Sequence, residues 1–212
     1  MKIQLALDRL SKEECFRLIE ETEEYIDWIE IGTGVIKEYG MSIIREVKQR
    51  YPDTTLVADM KTCDAGAAEA AQAFEAGADI STVMAFSADN TISDTLSIAG
   101  KYGKRMMIDL LGVEDPDRVR RIEQLGADLV SLHYGKDMQH QGAMNVNLFD
   151  LLSVNSALEV AVAGGINADS LPALLHKSPS IVIVGSAITK APDSKRAAEE
   201  LKGVIESDEN HH

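Results

Sequence analysis

The sequence predicts a single-domain α/β fold, a (β/α)8 TIM barrel, from three observations. Eight short apolar runs alternate with amphipathic stretches, and strands that alternate with helices form a parallel sheet. The length of 212 residues suits eight such units. The chain has only five prolines and no Ser/Gly-rich tract, so the sequence shows no linker between domains. A doubly wound open sheet is the alternative, although no G-x-G-x-x-G motif follows the first run.

The predicted strands are short, rich in β-branched residues, Leu or Met, and bounded by turn residues. They cover residues 3–7, 28–31, 55–59, 80–85, 105–110, 129–133, 158–163 and 181–185. Ser11 and Glu14 form a capping box at the start of the first helix. Two further helical stretches, 66–74 and 116–125, end close to a glycine that can close a helix. We expect one domain over 1–212, with a disordered tail from about residue 206.

The charge balance excludes several classes of partner. The 35 acidic residues outnumber the 21 basic ones, which gives a net charge of −14. Such a chain repels phosphate backbones and anionic membranes, so we expect neither nucleic acid nor membrane as a partner. No apolar run approaches the ~20 residues of a membrane span, and the first residues turn polar too early for a secretory signal. We expect Cys15 and Cys63 to be free thiols in a cytoplasmic protein.

Acidic residues collect where a barrel carries its chemistry, at the carboxyl ends of the strands. The strand ends hold Asp8, Glu30, Asp59, Asp109 and His133. Carboxylates near an apolar core are unfavourable unless they are paired or bind a metal. We therefore expect a functional site here, with Asp8 in contact with substrate.

The third strand ends in a D-x-K-x-x-D pattern made by Asp59, Lys61 and Asp64. Strand side chains alternate between faces, so Asp59 and Lys61 are expected to point into the barrel mouth together. Asp64 falls at the start of the next helix, where a carboxylate is favoured. The structural alternative is a salt bridge plus a helix cap.

Two carboxylates on neighbouring strands, Glu30 and Asp59, predict a magnesium site, because Mg²⁺ takes few protein ligands and keeps waters. The alternative is that Glu30 pairs with Lys61. His133 is predicted to move protons near neutral pH, unless it is only a hydrogen-bonded core residue.

Glycines end the last two strands, in AVAGGI (161–166) and IVIVGSAIT (181–189). Barrels commonly bind phosphate at these loops through backbone N–H groups. The residues predicted to bind the substrate phosphate are Gly164, Gly165, Gly185 and Ser186. The alternative is that these glycines form tight turns only.

Six ordered motifs resemble the orotidine monophosphate decarboxylase suprafamily, and within it the 3-hexulose-6-phosphate synthase family most closely. They are LALD, EIGTG, DMKTCDAG, LHYGKDMQ, VAGGI and VGSAIT. The resemblance runs from residue 1 to about residue 205, and the ordered set is specific although each piece is not. It implies a (β/α)8 barrel that works as a homodimer with active sites at the interface.

The resemblance implies a Mg²⁺-dependent aldolase of the ribulose monophosphate pathway. This enzyme condenses formaldehyde with D-ribulose 5-phosphate, through a metal-stabilised 1,2-enediolate, to D-arabino-3-hexulose 6-phosphate, and it runs in reverse. By the resemblance, Glu30 and Asp59 match the metal ligands and Lys61 the lysine beside the enediolate. Asp64 matches an aspartate that reaches into the neighbouring subunit's site.

Other positions of the same family are also matched. Asp109 and His133 match polar residues beside the reacting carbons. The residues that match the family's phosphate grip are Gly165, Gly185 and Ser186.

A sister family, 3-keto-L-gulonate-6-phosphate decarboxylase, shares the metal site and the enediolate. It typically has Glu in place of Asp109 and Arg in place of Lys136. Asp109 and the run Gly135-x-Asp137-x-Gln139 look more like the synthase, whereas the basic Lys136 keeps the decarboxylase open.

Two further alternatives are weaker. Orotidine monophosphate decarboxylase itself needs no metal and has a lysine in place of Glu30. A non-catalytic sugar-phosphate-binding protein would keep the glycine loops but lack a complete acid/base set. Asp59, Lys61, Asp64 and His133 argue against it.

Overall fold

Eight parallel strands close into a barrel in chain order, β1 to β8. The computed structural model describes residues 1–138, 146–154 and 156–209. The strands are β1 Lys2–Leu7, β2 Trp28–Ile31, β3 Thr55–Thr62, β4 Ile80–Met84, β5 Arg105–Asp109, β6 Leu129–His133, β7 Glu159–Ala163 and β8 Ile181–Val184. Each strand pairs with the next, and β8 pairs with β1. The predicted barrel is confirmed, and the open-sheet alternative is wrong.

Helices surround this barrel. They are α1 Lys12–Thr22, α2 Thr33–Tyr39, α3 Met41–Arg50, α4 Gly66–Glu75, α5 Asp89–Tyr102, α6 Pro116–Gln124, α7 Leu171–Leu175, α8 Ser186–Thr189 and α9 Ser194–Glu209, with a 3-10 helix at Val146–Leu151. The predicted capping box forms, since the Ser11 hydroxyl accepts from the Glu14 N–H and the Glu14 carboxylate accepts from the Ser11 N–H. In the described part of the chain, no helix is long and apolar enough to cross a membrane.

The apolar core has two parts, as strand alternation requires. One lies between the strands and the helices, and it includes Ile3, Leu5, Ile29, Ile108 and Val182. The other fills the inside of the barrel. Its buried side chains are Trp28, Val57, Ile80, Met107, Leu129, Ala161, Ala163, Ile181 and Ile183.

Ion pairs lie at the amino-terminal end of the strands, below the inner core. Arg105 lies 2.7 Å from Glu159 and 3.0 Å from Asp128. The Lys2 ammonium lies 4.9 Å from the centre of a Trp28 ring. These contacts close the barrel at the end away from the predicted site.

Strand β3 departs from its predicted end at residue 59 and continues to Thr62. Its pairing with β4 shifts register between Ala58 and Thr62, and Lys61 takes a left-handed backbone conformation with φ of 47°. Such an irregularity re-aims the side chains that follow it.

The chain's last helix also differs from its prediction. Helix α9 reaches Glu209, so residues 206–209 are helical and the predicted tail is wrong over that stretch. The buried Leu201 and Ile205 pack this helix against the core. The helix then continues through the residues that follow Ile205. Residues 210–212 lie outside the described ranges.

Candidate active site

A cavity of about 680 Å³ opens at the carboxyl ends of the barrel strands. All but one of the predicted site residues line it. They are Asp8, Glu30, Asp59, Lys61, Asp109, His133, Gly164, Gly165, Gly185 and Ser186. The fold therefore brings together residues that lie far apart in the sequence, from Asp8 after β1 to Ser186 after β8.

The exception is Asp64, which is exposed and does not line this cavity. It lies between the end of β3 and the start of α4, beside the exposed Cys63. Lys136 and Asp137 line the cavity, whereas Gln139, the last residue of the run that resembles the synthase, lies outside the described residues.

Asp59 is held from three directions. The Thr33 hydroxyl donates to Asp59 Oδ2 at 2.9 Å and also contacts the Asp59 carbonyl oxygen at 2.7 Å. The Thr82 hydroxyl donates to Asp59 Oδ1 at 2.9 Å, and Lys61 Nζ donates to the same oxygen at 3.0 Å. Thr33 begins helix α2, which follows β2, and Thr82 lies on β4. The elements on either side of β3 therefore fix the carboxylate.

Lys61 bridges two carboxylates. Its Nζ lies 2.8 Å from Asp109 Oδ2 in addition to its contact with Asp59. Burial lowers the pKa of Lys61, but the charges and hydrogen bonds of Asp59 and Asp109 outweigh burial and raise it. Lys61 is therefore a fixed positive charge over the ordinary pH range. The expectation that Asp59 and Lys61 face the barrel mouth together is confirmed.

Asp109 couples Lys61 to His133. His133 Nδ1 lies 3.0 Å and 3.1 Å from the two carboxylate oxygens of Asp109. Burial raises the pKa of Asp109, yet hydrogen bonding and charge from His133 and Lys61 reverse this and lower it to about 2. Burial lowers the pKa of His133, and the Asp109 hydrogen bond and charge raise it by more. Asp109 is therefore an anion that orients the imidazole and raises its pKa.

Glu30 lies apart from this chain of ion pairs. Gln4 Nε2 donates to Glu30 Oε2 at 2.5 Å. Within the described residues Lys61 forms its ion pairs with Asp59 and Asp109 and none with Glu30, so the alternative Glu30–Lys61 pair is wrong. Burial, followed by the charge of Asp59, raises the pKa of Glu30 to about 7.

The chemistry of these donors fits a small divalent cation. Glu30 and Asp59 come from neighbouring strands, are only 8% and 7% exposed, and both line the cavity. A cation bound to both would offset the burial and like-charge repulsion that raise the pKa of Glu30. No group of three or more His, Cys, Asp or Glu side chains suited to a metal occurs in the described ranges. Two carboxylate ligands are what Mg²⁺ ordinarily takes from a protein.

Tight backbone packing shapes the opposite side of the cavity. Gly164 has φ of +120°, and a Cβ there would lie 2.2 Å from the Tyr134 carbonyl oxygen. Gly165 has φ of 68°. Gly185 and Ser186 begin helix α8 directly after β8. These loops therefore present backbone rather than side chains to the cavity.

Asp8 is fixed by the turn that follows β2. Its Oδ1 accepts the Gly34 N–H at 2.7 Å, and a Cβ at Gly34 would lie 2.5 Å from that oxygen. Arg9 contacts the other Asp8 oxygen at 3.4 Å.

Three lysines besides Lys61 line the cavity: Lys37, Lys136 and Lys190. No ion pair of theirs occurs among the described residues. In a chain of net charge −14, these positive groups make the cavity mouth a local exception that favours an anionic ligand.

Known proteins share this architecture and sequence. The family model described as "Orotidine 5'-phosphate decarboxylase / HUMPS family" matches residues 1–201. The chain belongs to that family. A 3-hexulose-6-phosphate synthase of Bacillus subtilis is 37% identical over 97% of the chain and 99% of the relative.

Two further members are similar to this chain. A 3-hexulose-6-phosphate synthase of Mycobacterium gastri is 38% identical over 97% of the chain and 100% of the relative. The solved 3-hexulose-6-phosphate synthase of Salmonella typhimurium has a TM-score of 0.95 at 36% identity, with both chains covered over 100% of their length. Family membership and the barrel are thus established by sequence and by structure.

Sequence reasoning missed three residues of the site: Gln4, Thr33 and Thr82. Gln4 and Thr82 are polar residues at inward positions of β1 and β4, which is a signal that strand alternation provides. Thr33 lies in the EIGTG motif, but its contact with Asp59 depends on how β2 and β3 pair.

Proposed function

We propose that this chain is a Mg²⁺-dependent aldolase that condenses formaldehyde with D-ribulose 5-phosphate to D-arabino-3-hexulose 6-phosphate, and catalyses the reverse reaction. The observation that carries the proposal is the buried series Asp59–Lys61–Asp109–His133, with Lys61 Nζ 3.0 Å and 2.8 Å from the two aspartates. Glu30 lies in the same cavity. Relatives at 37% and 38% identity that are named 3-hexulose-6-phosphate synthase support the assignment.

The phosphate end of the substrate supplies most of the binding energy, because formaldehyde is too small to contribute much. We assign the phosphate to the loops that contain Gly164, Gly165, Gly185 and Ser186. Their exposed backbone and the lysines at the mouth suit a dianion. Asp8 is assigned to the sugar hydroxyls, because it lines the cavity and its Oδ1 is held in place by the Gly34 N–H.

Glu30 and Asp59 would hold the Mg²⁺ ion. When bound, it would stabilise the negative charge that develops on the sugar oxygens.

His133 is assigned the proton transfers. Its Nδ1–H donates to Asp109, so the lone pair of the neutral ring lies on Nε2 and can accept the C1 proton of the sugar. The carbon that loses this proton forms a bond to the formaldehyde carbon. The new alkoxide then takes a proton back from His133, so the ring ends the cycle unchanged. Lys61 contributes fixed positive charge beside the enediolate.

We also propose a homodimer with active sites at the interface, in the cytoplasm. Asp64 supports the dimer, because it is exposed and does not line the cavity of its own subunit, so a partner subunit would have access to it. The two cysteines, neither of which forms a disulfide, agree with a reducing compartment.

The test follows formaldehyde consumption by the purified protein with ribulose 5-phosphate and Mg²⁺, with and without EDTA. Rapid, EDTA-sensitive consumption is expected. A parallel sample contains 3-keto-L-gulonate 6-phosphate. Decarboxylation there without formaldehyde consumption would assign the chain to the sister activity, and no reaction in either sample would favour a protein that only binds sugar phosphates.

A further inference from the structure

The uncharged side chain of Thr82 contacts both Asp59 and Lys61 near the end of β3. Its hydroxyl accepts the Lys61 backbone N–H at 2.8 Å and donates to Asp59 Oδ1 at 2.9 Å. The side chain is buried, with 3% of the residue exposed. A hydroxyl is both a donor and an acceptor, so one side chain fixes a backbone group and a carboxylate together.

The backbone that Thr82 holds is in an unfavourable conformation. Lys61 has φ of 47°, a region that residues other than glycine rarely occupy and that persists only where its surroundings enforce it. At this point the pairing of β3 with β4 shifts, and no β4 residue is in register with Lys61. The Lys61 N–H donates to the Thr82 hydroxyl instead of following the regular ladder.

The conformation of Lys61 decides where its ammonium lies. Regular alternation already places Lys61 on the same face as Asp59. The left-handed backbone sets the direction in which the side chain leaves the strand, and Nζ lies 2.8 Å from Asp109 and 3.0 Å from Asp59. A lost hydroxyl would leave the Lys61 N–H without its acceptor and would remove one of the two hydrogen bonds to Asp59 Oδ1. Both changes disturb the reacting end of the cavity and leave its phosphate end untouched.

We propose that Thr82 is a positioning residue that sets the left-handed backbone of Lys61 and the orientation of Asp59, and thereby the placement of the Lys61 ammonium. This inference deepens the proposed function and rests on it for its catalytic consequence. The hydrogen bonds of Thr82 do not depend on the reaction, so the positioning role and the proposed function can be tested separately.

Three variants separate hydrogen bonding from packing. Thr82→Val keeps the shape and removes both hydrogen bonds, whereas Thr82→Ser keeps the hydroxyl and removes a methyl group. Ser81→Ala is the matched control, because Ser81 is the adjacent buried hydroxyl on β4 and its oxygen has no hydrogen-bond partner in the described structure. If Thr82→Val does not fold, Thr82→Ala removes the same hydroxyl in its place.

The first readout is amide hydrogen exchange at Lys61, followed by NMR in protein without substrate or metal. Thr82→Val is expected to raise the exchange rate at least ~10-fold, because the amide loses its acceptor. Thr82→Ser and Ser81→Ala are expected to leave it near the wild-type rate. Unchanged exchange in Thr82→Val would overturn the proposal, whether or not the wild type is a synthase.

The second readout is the division of the kinetic effect between kcat and KM. Thr82→Val is expected to lower kcat by ~10- to 100-fold and to change KM for ribulose 5-phosphate by less than ~3-fold. Thr82→Ser should recover most of kcat. Equal losses in the serine and valine variants would show that packing matters and overturn the positioning role. A wild type that consumes no formaldehyde would refute the proposed function, and amide exchange would then decide the role of Thr82 alone.

Discussion

At the scale of single residues, the site separates its two metal-ligand candidates by environment. Asp59 receives hydrogen bonds from Thr33, Thr82 and Lys61. Glu30 accepts from Gln4, and the pKa of Glu30 is raised to about 7 by burial and by the charge of Asp59. Asp59 is thus anchored by protein groups, whereas Glu30 gains most from a bound cation.

Glu30→Gln is expected to abolish Mg²⁺ binding and turnover together, because the amide keeps the shape of the side chain and loses its charge. Calorimetric titration of Mg²⁺ and formaldehyde consumption measure the two effects. The control is Glu159→Gln, which removes a carboxylate that pairs with Arg105 at the other end of the barrel. That variant should keep its Mg²⁺ dependence. Mg²⁺-dependent turnover in Glu30→Gln would contradict the metal assignment.

The pair of Asp109 and His133 predicts a pH dependence. Burial lowers the pKa of His133, but Asp109 raises it above its ordinary value, which is near 6.5. Protonation of His133 therefore stabilises the fold fully below ~pH 6.5, and this contribution is lost as the pH rises through the pKa of the folded state. Asp109→Asn should lower the pKa of His133, as measured by NMR titration of the ring.

The same variant tests the sign of the linkage. Denaturant unfolding should show a larger stability loss from Asp109→Asn near ~pH 6 than near ~pH 9. Part of the loss should persist at the higher pH, since Asp109 also pairs with Lys61. An equal loss at both pH values would mean that the imidazole carries no charge in the folded protein.

At the scale of elements, the loop after β7 depends on its backbone conformation. Gly164→Ala is expected to destabilise the protein by at least ~2 kcal/mol, because φ is +120° and the new Cβ would overlap the Tyr134 carbonyl oxygen. Relief of that overlap would move the loop, so KM for the sugar phosphate should rise. Thermal unfolding and steady-state kinetics measure the two effects.

Gly100→Ala is the matched control for this substitution. Gly100 is exposed in helix α5 and has no atom near the position of a new Cβ. Alanine there should stabilise the helix by ~0.5–1 kcal/mol without a change in KM. A similar loss from both substitutions would argue against a special role of the β7 loop.

The sequence was sufficient to predict elements and insufficient to predict their irregularities. Periodicity located all eight strands, because an inward or outward position follows from alternation. It also predicted correctly that Asp109 and His133 lie at the ends of β5 and β6. Nothing in the residues of β3 predicts the left-handed Lys61 or the shift against β4, since both follow from pairing between strands. The contacts of Thr33 and Thr82 with Asp59 depend on the same pairing.

At the scale of the whole molecule, the exposed Asp64 allows the proposed dimer to be tested by complementation. Lys61→Ala and Asp64→Ala are each expected to be inactive. In a mixed dimer, one site would contain Lys61 from one subunit and Asp64 from the other, and would be intact. Random assembly should therefore restore about a quarter of the wild-type activity per subunit.

Activity after co-expression of the two variants, compared with each variant alone, is the measurement. Size-exclusion chromatography with light scattering provides the control that both variants assemble as the wild type does. Failure of correctly assembled mixtures to recover activity would assign Asp64 to its own subunit or to a structural role.

The filled amino-terminal end of the barrel has a consequence for how ligands enter and leave the cavity. Below the cavity, buried side chains such as Trp28, Leu129 and Ile181 fill the interior, and Lys2 covers Trp28 from outside. Among the described residues, the cavity is thus closed at the amino-terminal end of the strands and opens at their carboxyl ends. Under the proposed function, the sugar phosphate, formaldehyde and the product would all pass through that opening, so the product would have to leave before the next substrates bind.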